Sequence, residues 1–232
     1  MEWTAEATMT EQHPLDPASR LRAALQSTAS SARLQAALTA GTMPNPCYID
    51  VLVEQSAVEP DFFVRDMLTW ALTRHDAEPT VDRLLPELRS PVAQARSQAL
   101  HTLSKIGDRR AWPAVSTELL RDDDPEVARA AWRAAAGLVP DEERPALARE
   151  LATQLGRGDR ELQRSLSRAI AMLDDAGAAV AAAAAHDADP AVRAHALATA
   201  RLIDDPDDDF GAAIREAQRI VALQASPAPA EG

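Results

Sequence analysis

The sequence is poor in cysteine and in aromatic residues, and both shortages limit what the protein can be. Cys47 is the one cysteine among 232 residues, which excludes an intramolecular disulfide and is typical of a reducing compartment. Aromatic residues make up 3% of the chain and hydrophobic residues 46%, so the core must consist mainly of Ala, Leu and Val. No stretch alternates polar and apolar residues over a useful length. The composition therefore predicts an all-α protein.

The sequence also lacks the segments that direct a chain to a membrane. Its first residues contain no basic stretch followed by an apolar run, which argues against a secretory signal. The Ala-rich stretch 176–185 is too short and too weakly apolar to span a bilayer. We therefore expect a cytoplasmic protein with no membrane partner. Residues 1–16 and 225–232 are polar or rich in Pro and are expected to be disordered.

The chain does contain a pattern that recurs about every thirty residues: a turn with Asp or Pro, then Arg, then a short apolar helix. The positions taken as equivalent are Arg65, Arg96, Arg129, Gln163 and Arg193, with spacings of 31, 33, 34 and 30 residues. This period lies within the range of helical-pair repeats. Apolar residues follow at offsets of three and seven, which form one stripe of a helix. The pattern predicts a stack of similar helical units.

An outer helix is predicted before each of these inner helices. The outer helices are expected over 48–58, 79–89, 111–121, 141–157 and 174–186, and the inner helices over 62–75, 92–106, 126–137, 160–173 and 191–203. The predicted solenoid spans 17–224 and consists of a capping repeat (17–41), five pairs (48–75, 79–106, 111–137, 141–173 and 174–203) and a closing helix (210–224).

The Asp/Pro turn, the following Val or Ala, the Arg and the Ala-Leu stripe resemble the HEAT-repeat family, including the short bacterial HEAT-like repeats first associated with phycobilin lyases. The resemblance covers roughly residues 17 to 223. It implies a right-handed α-α superhelix of about six helical pairs, in which the second helix of each pair lines the concave face. One fold carries many activities, so it does not specify a function.

Charge is distributed unevenly between the two layers. The net charge is −12, which argues against binding of nucleic acid over the whole surface. The five inner helices nevertheless contain eleven Lys and Arg against three acids, or +8, so the rest of the chain carries −20. This distribution predicts a basic groove on the concave face, suited to an acidic peptide or another anion.

Two sets of basic residues are separated within this groove. Arginines that follow an Asp turn commonly bond that turn, so Arg65, Arg96, Arg129 and Arg193 are interpreted as structural anchors of the repeat. Side chains between the anchors are the better candidates for binding a partner. These candidates are Trp70, Arg74, His101, Lys105, Arg133, Arg168 and Arg201.

Signals for catalysis are weak. No His-x-x-x-His pair occurs, and the repeated His-Glu pairs of deoxyhypusine hydroxylases are missing, so no metal and no cofactor are predicted. Asp66, Trp70 and Arg74 share one helical face, which leaves a HEAT-like DNA glycosylase as an alternative. Cys47 leaves a second alternative, a bilin lyase or chaperone, although no neighbouring base or cation in the sequence activates the thiol.

The function that the sequence favours is a non-catalytic scaffold. We expect a monomer that recognises another protein through its concave face, with an acidic peptide as the favoured form of that partner. Nucleic acid is disfavoured by the acidic composition.

Overall fold

The computed structural model describes residues 16–207 and 209–225, and these are helical without any strand. Predictions made for residues 1–15 and 226–232 lie outside the described part of the chain. The helices are α1 (Pro17–Leu25), α2 (Ser30–Thr42), α3 (Tyr48–Ser56), α4 (Phe62–Thr73), α5 (Ala77–Leu84), α6 (Ala93–Ile106), α7 (Thr117–Leu120), α8 (Pro125–Leu138), α9 (Arg144–Ala152), α10 (Arg160–Ala171), α11 (Asp174–Ala184), α12 (Pro190–Asp204) and α13 (Phe210–Ala225).

Acidic N-caps set where most of the inner helices begin. Asp61, Asp124, Asp159 and Asp189 each accept a hydrogen bond from a backbone N–H of the first turn of α4, α8, α10 and α12. Each such cap contributes about 1 kcal/mol. In α8 and α12 a proline follows the cap, where its missing N–H costs nothing. The recurring Asp turns therefore set the residue at which each of these inner helices begins, and positions along a helix can be numbered from that N-cap.

The helices form two layers. The inner layer is a row in which α2, α4, α6, α8, α10 and α12 pack successively, each on the next. Outer helices flank this row, with α1 against α2, α3 against α4, α5 against α6, α7 against α8, α9 against α10 and α11 against α12. Helix α13 packs on α12 and closes the stack. The predicted all-α solenoid of about six helical pairs is confirmed.

Small side chains allow the layers to approach closely. Buried Leu, Ala and Val residues form one main core, and Trp132 is the largest of its fully buried side chains. The indole Nε1–H of Trp132 donates to the Leu120 carbonyl at 2.8 Å, which satisfies its polar atom. Gly177 marks the closest approach, because a Cβ there would lie 2.0 Å from the Ile170 carbonyl oxygen. A second, smaller cluster of buried residues joins α12 and α13.

The outer layer is more broken than the sequence predicts. The single helix expected over 111–121 is instead a 3₁₀ helix, Arg109–Ala114, followed by the short α7. The helix expected over 141–157 reduces to a 3₁₀ turn, Asp141–Glu143, and α9. Pro113 lies inside the first of these segments and Pro145 is the second residue of α9, and proline cannot donate to a helical bond. The inner helices keep their predicted positions within two residues at each end.

None of the helices described combines the length and the apolar character that crossing a membrane requires.

Candidate functional site

Counting from the N-cap brings out one contact that several inner helices share. The side chain four residues after the N-cap reaches back and donates to a carbonyl of the turn before its own helix. We call these positions the anchor row. In α10 the same position is Gln163, whose Nε2 donates to the Gly158 carbonyl at 3.2 Å. The arginines of this row use Nη1 on the carbonyl six residues earlier: Arg33 on Ser27 (2.9 Å), Arg65 on Glu59 (3.0 Å), Arg96 on Ser90 (2.9 Å) and Arg193 on Asp187 (2.7 Å).

Two anchors also connect one unit to the next. Arg33 makes two bonds to the buried Glu59, and Arg96 makes two bonds to Asp122. Burial opposes ionisation of Glu59, but hydrogen bonds from Arg33, Gln55 and the backbone N–H of Asp61 outweigh it and hold the pKa of Glu59 below its usual range. Arg65, Arg96 and Arg193 each make the turn contact that their interpretation as anchors requires.

Helix α8 departs from this pattern, and Arg129 does not make the anchor contact. Its N-cap is Asp124, so the fourth residue is Ala128, which is fully buried, and Arg129 is the fifth. The carbonyl six residues before Ala128 is that of Asp122, and it is bonded by Nη2 of Arg157 from the following unit. The guanidinium of Arg157 also lies over the ring of Trp132, 6.0 Å from its centroid. Arg157 therefore replaces the missing anchor.

Arg129 is not equivalent to Arg96 and Arg193, because it lies one residue further from the N-cap of its helix. One residue along an α-helix rotates a side chain by about 100°, so Arg129 faces a different direction from the true anchors. The signal was present in the sequence: Arg65 and Arg193 lie four residues after their cap Asp, whereas Arg129 lies five after Asp124.

On α4, α6 and α8 the fifth residue after the N-cap lines a cavity and begins a second row. We call the fifth and ninth positions the groove row, since they lie four apart on one helical face. Its members on α4, α6 and α8 are Asp66 with Trp70, Ser97 with His101, and Arg129 with Arg133. All of them except Trp70 line one cavity of about 330 Å³, together with Phe62, Arg65, Gln98, Glu126 and Ala130.

Cations in this cavity are incompletely paired. Arg129 approaches Glu126 at 3.6 Å, and its Nε atom is buried without a hydrogen-bond partner. Arg133 donates from Nη1 to Nδ1 of His101 at 3.4 Å, a long contact. Burial, and then the charges of Arg133 and Lys105, lower the pKa of His101 against the opposing effect of Asp66. His101 is therefore neutral at pH 7, and the arginines are the cations available to a ligand.

The groove row continues onto α10. Arg164 and Arg168 are the fifth and ninth residues after Asp159, and both are exposed. Neither has a hydrogen bond or ion pair within residues 16–207 and 209–225. Because α8 packs against α10, Arg129, Arg133, Arg164 and Arg168 occupy matching positions on neighbouring helices. We call these four residues the arginine quartet.

The remaining candidates lie outside the cavity. Trp70 is 38% exposed, but its ring packs on Gly41 of α2, where an added Cβ would lie 2.4 Å from the ring. Arg74 and Lys105 are exposed near the carboxyl ends of α4 and α6. Arg201 lines a separate cavity of about 510 Å³ between α12 and α13, with His186, Leu197, Glu216 and other residues. The structure thus brings His101 and Arg133 together in the cavity, places Arg168 on the next helix, and leaves Trp70, Arg74, Lys105 and Arg201 apart from them.

A buried Ser–His contact between α10 and α12 has the distances of a catalytic pair but the wrong proton arrangement. Nε2 of His195 lies 3.0 Å from Ser167 Oγ and 3.0 Å from the Gln163 carbonyl. The backbone N–H of Gly156 donates to Nδ1 at 2.9 Å, so the ring proton is on Nε2. His195 therefore donates to Ser167 and cannot act as its base. Ser167 in turn contacts Thr199 at 2.7 Å, which completes a closed and fully buried polar network.

No grouping of three or more His, Cys, Asp or Glu side chains in the described residues is suited to hold a metal ion. Cys47 is exposed at the N-cap of α3 and does not line the concave cavity.

Comparison with known proteins adds similarity of fold only. No protein-family model matches the chain, and no curated protein matches it either. Three solved structures resemble it in outline. They are an engineered protein (22% identity, 88% of this chain and 98% of that one, TM-score 0.46), the complex of CpcE and CpcF of phycocyanin lyase from Nostoc sp. PCC7120 (18%, 94% and 99%, TM-score 0.39), and human deoxyhypusine hydroxylase in complex with glycerol (17%, 88% and 94%, TM-score 0.43).

Proposed function

We propose that the protein is a binding scaffold that recognises a protein partner through the concave groove of its inner helices. The observation that carries this proposal is the groove row, where exposed arginines of α8 and α10 have weak internal partners or none. The arginines of the anchor row, one residue away, are used to hold turns together. A side chain that does not stabilise the fold is available to a ligand.

The groove is also suited to binding with little ordering cost. Its side chains are placed on helices whose backbones are fixed by packing on both neighbours. A preformed surface loses little conformational entropy on binding, and arginine is prominent among residues that dominate interface energies. The groove supplies cations while the net charge of the chain is −12, so an acidic segment would be attracted to this face and repelled elsewhere.

The two enzymatic alternatives gain less from the geometry. The glycosylase alternative was based on Asp66 and Trp70 in one channel, and the cavity contains Asp66 with Phe62 but not Trp70. A thiol carrier needs Cys47 near a bound chromophore, and Cys47 is not part of the cavity.

The test is capture of a partner from a lysate of the native host, with the purified chain as bait and identification by mass spectrometry. The variant Arg133→Glu/Arg168→Glu is expected to keep its circular dichroism spectrum and to lose the partner. A matched control, Arg109→Glu/Arg149→Glu, makes the same charge change at exposed arginines away from the groove.

The control is expected to retain the partner. Equal capture by the wild type and the groove variant would contradict recognition through the concave face. Equal loss in both double variants would reduce the effect to net charge and would contradict it as well.

A further inference from the structure

We infer that the arginine quartet is a carboxylate-binding site for two acidic residues spaced three apart in an extended peptide. This inference rests on the proposed function and specifies the chemistry of the partner. It assigns Arg129 and Arg164 to binding.

The first step is that Arg129 does not bond its own turn, because Arg157 makes that contact instead. Arg157 bonds the Asp122 carbonyl, which lies six residues before Ala128, as the anchor arginines do in their own units. Arg129 is left with a 3.6 Å approach to Glu126 and an unbonded buried Nε. A buried donor without an acceptor costs about 1 to 3 kcal/mol, and an incoming carboxylate oxygen would satisfy it.

The second step is that the next unit repeats the arrangement. Gln163 occupies the anchor position of α10 and bonds its turn, so Arg164 is displaced into the groove row as Arg129 is. Two successive helices therefore each present a pair of arginines at i and i+4, Arg129 with Arg133 and Arg164 with Arg168. Side chains at this separation are neighbours, about 5 to 6 Å apart at Cβ.

The third step concerns the chemistry of the ligand. Two guanidinium groups on one helical face are suited to one carboxylate, because arginine binds carboxylates through paired, charge-assisted hydrogen bonds. Glu126 and Glu161 are the acids of α8 and α10, so the two helices retain a surplus of cations in this face. An acidic side chain from a partner completes the charge balance.

The fourth step concerns spacing. Packed helices lie about 8 to 10 Å apart, and we take this spacing as the separation of the two arginine pairs along the stack. An extended chain advances about 3.3 Å per residue, so residues three apart are about 10 Å apart. A peptide with the pattern acid-x-x-acid, running across the inner helices, would therefore place one carboxylate on each pair.

The experiment is selection from a display library of random peptides on the immobilised full chain, followed by fluorescence anisotropy with the enriched sequences. Enriched peptides are expected to carry two Asp or Glu residues three apart. The variant Arg129→Gln/Arg164→Gln should bind them at least tenfold more weakly, or about 1.4 kcal/mol. Its unfolding midpoint should be no lower than that of the wild type, since neither residue bonds a turn and the Arg129 Nε has no hydrogen-bond partner.

Two controls separate binding from folding and from charge. Arg193→Ala removes a residue of the anchor row and should lower stability without changing peptide affinity. Arg109→Gln/Arg149→Gln removes the same charge from exposed positions outside the groove and should change neither.

The outcomes distinguish this inference from the proposed function. Enriched peptides that lack the acidic pair, or that bind Arg129→Gln/Arg164→Gln as tightly as the wild type, overturn the carboxylate site. If those same peptides lose binding to Arg133→Glu/Arg168→Glu, recognition through the groove survives. Peptides that bind all of these variants equally overturn both proposals.

Discussion

The anchor row and the groove row run along the same inner helices one residue apart, yet their arginines have opposite roles. In the anchor row, Arg96 bonds its own turn and a carboxylate of the next unit. In the groove row, Arg129 lacks a partner for a buried nitrogen and faces an open cavity. The difference comes from one step of helical rotation. An arginine of an inner helix therefore bonds its own turn when it lies four residues after the N-cap, and not when it lies five.

The largest expected effect is a loss of stability in acid, and it comes from the buried His195. Burial lowers the pKa of His195 to about 4, from about 6.5 in an unfolded chain. Because the unfolded state takes up the proton first, this contribution to stability is complete above pH 6.5 and is lost as the pH falls towards 4. The shift corresponds to roughly 3 kcal/mol. Urea denaturation at a series of pH values should show this loss.

The matched variant for that measurement is His195→Gln. Glu59 also loses stabilisation in acid, because its pKa is held low, so only the difference between wild type and variant isolates His195. The variant should show a flatter pH dependence between 6.5 and 4 even though its stability at pH 7 is reduced. An unchanged slope would contradict the buried neutral histidine.

A somewhat smaller effect is expected from removing an anchor. Arg96→Ala leaves the Asp122 carboxylate, whose side chain is 15% exposed, without its cation, and leaves the Ser90 carbonyl without its donor. Breaking such a mostly buried pair should cost roughly 2 to 3 kcal/mol in the free energy of unfolding. Chemical denaturation followed by circular dichroism measures it. A loss no greater than that of the exposed control Arg109→Ala would show that the anchor row does not stabilise the stack.

Arg157→Met should lower the free energy of unfolding by less than Arg96→Ala does, by about 1.5 kcal/mol. The substitution keeps an apolar stem against Trp132 but removes the donor to the Asp122 carbonyl and the cation over the indole. The same denaturation experiment applies, with the exposed Arg160→Met as control. Equal stability of the two variants would mean that Arg157 does not substitute for the missing anchor of α8.

The smallest expected change in stability is that of Arg129→Gln. With no bond to its turn, Arg129 should contribute less than about 0.5 kcal/mol to folding, the range of ordinary surface substitutions. Its effect should instead appear in the affinity for acidic peptides. A destabilisation as large as that of Arg96→Ala would remove the distinction between the two rows.

Much of the fold was predictable because it depends on local signals. The Asp caps, the prolines after them and the apolar stripe lie close together in the chain, and they place the inner helices within two residues. The outer helices were predicted less well. Pro113 and the short apolar segments leave 109–120 without a continuous helix. Ala111 and Leu119 are nevertheless buried, because tertiary packing covers them.

The candidate site was predicted in part. His101 and Arg133 line the cavity as the charge pattern of the inner helices suggested, whereas Trp70 rests on Gly41 because α2 approaches α4 closely at that point. Alignment of the repeats on arginine places Arg129 in the anchor row, whereas counting from the cap Asp124 places it in the groove row. The assignment of His101, Arg133, Arg168 and the other candidates to binding stays a prediction until binding is measured.

The sequence by itself determined an all-helical stack with acidic turns and basic inner helices, since caps, prolines and apolar periodicity act within one or two helical turns. Only the tertiary structure decided which arginines are free to bind. That choice depends on Arg157, which comes from the next unit to bond the Asp122 carbonyl. A contact between residues 35 apart is made by the packing of α8 and its neighbours, and no local rule of helix formation specifies it.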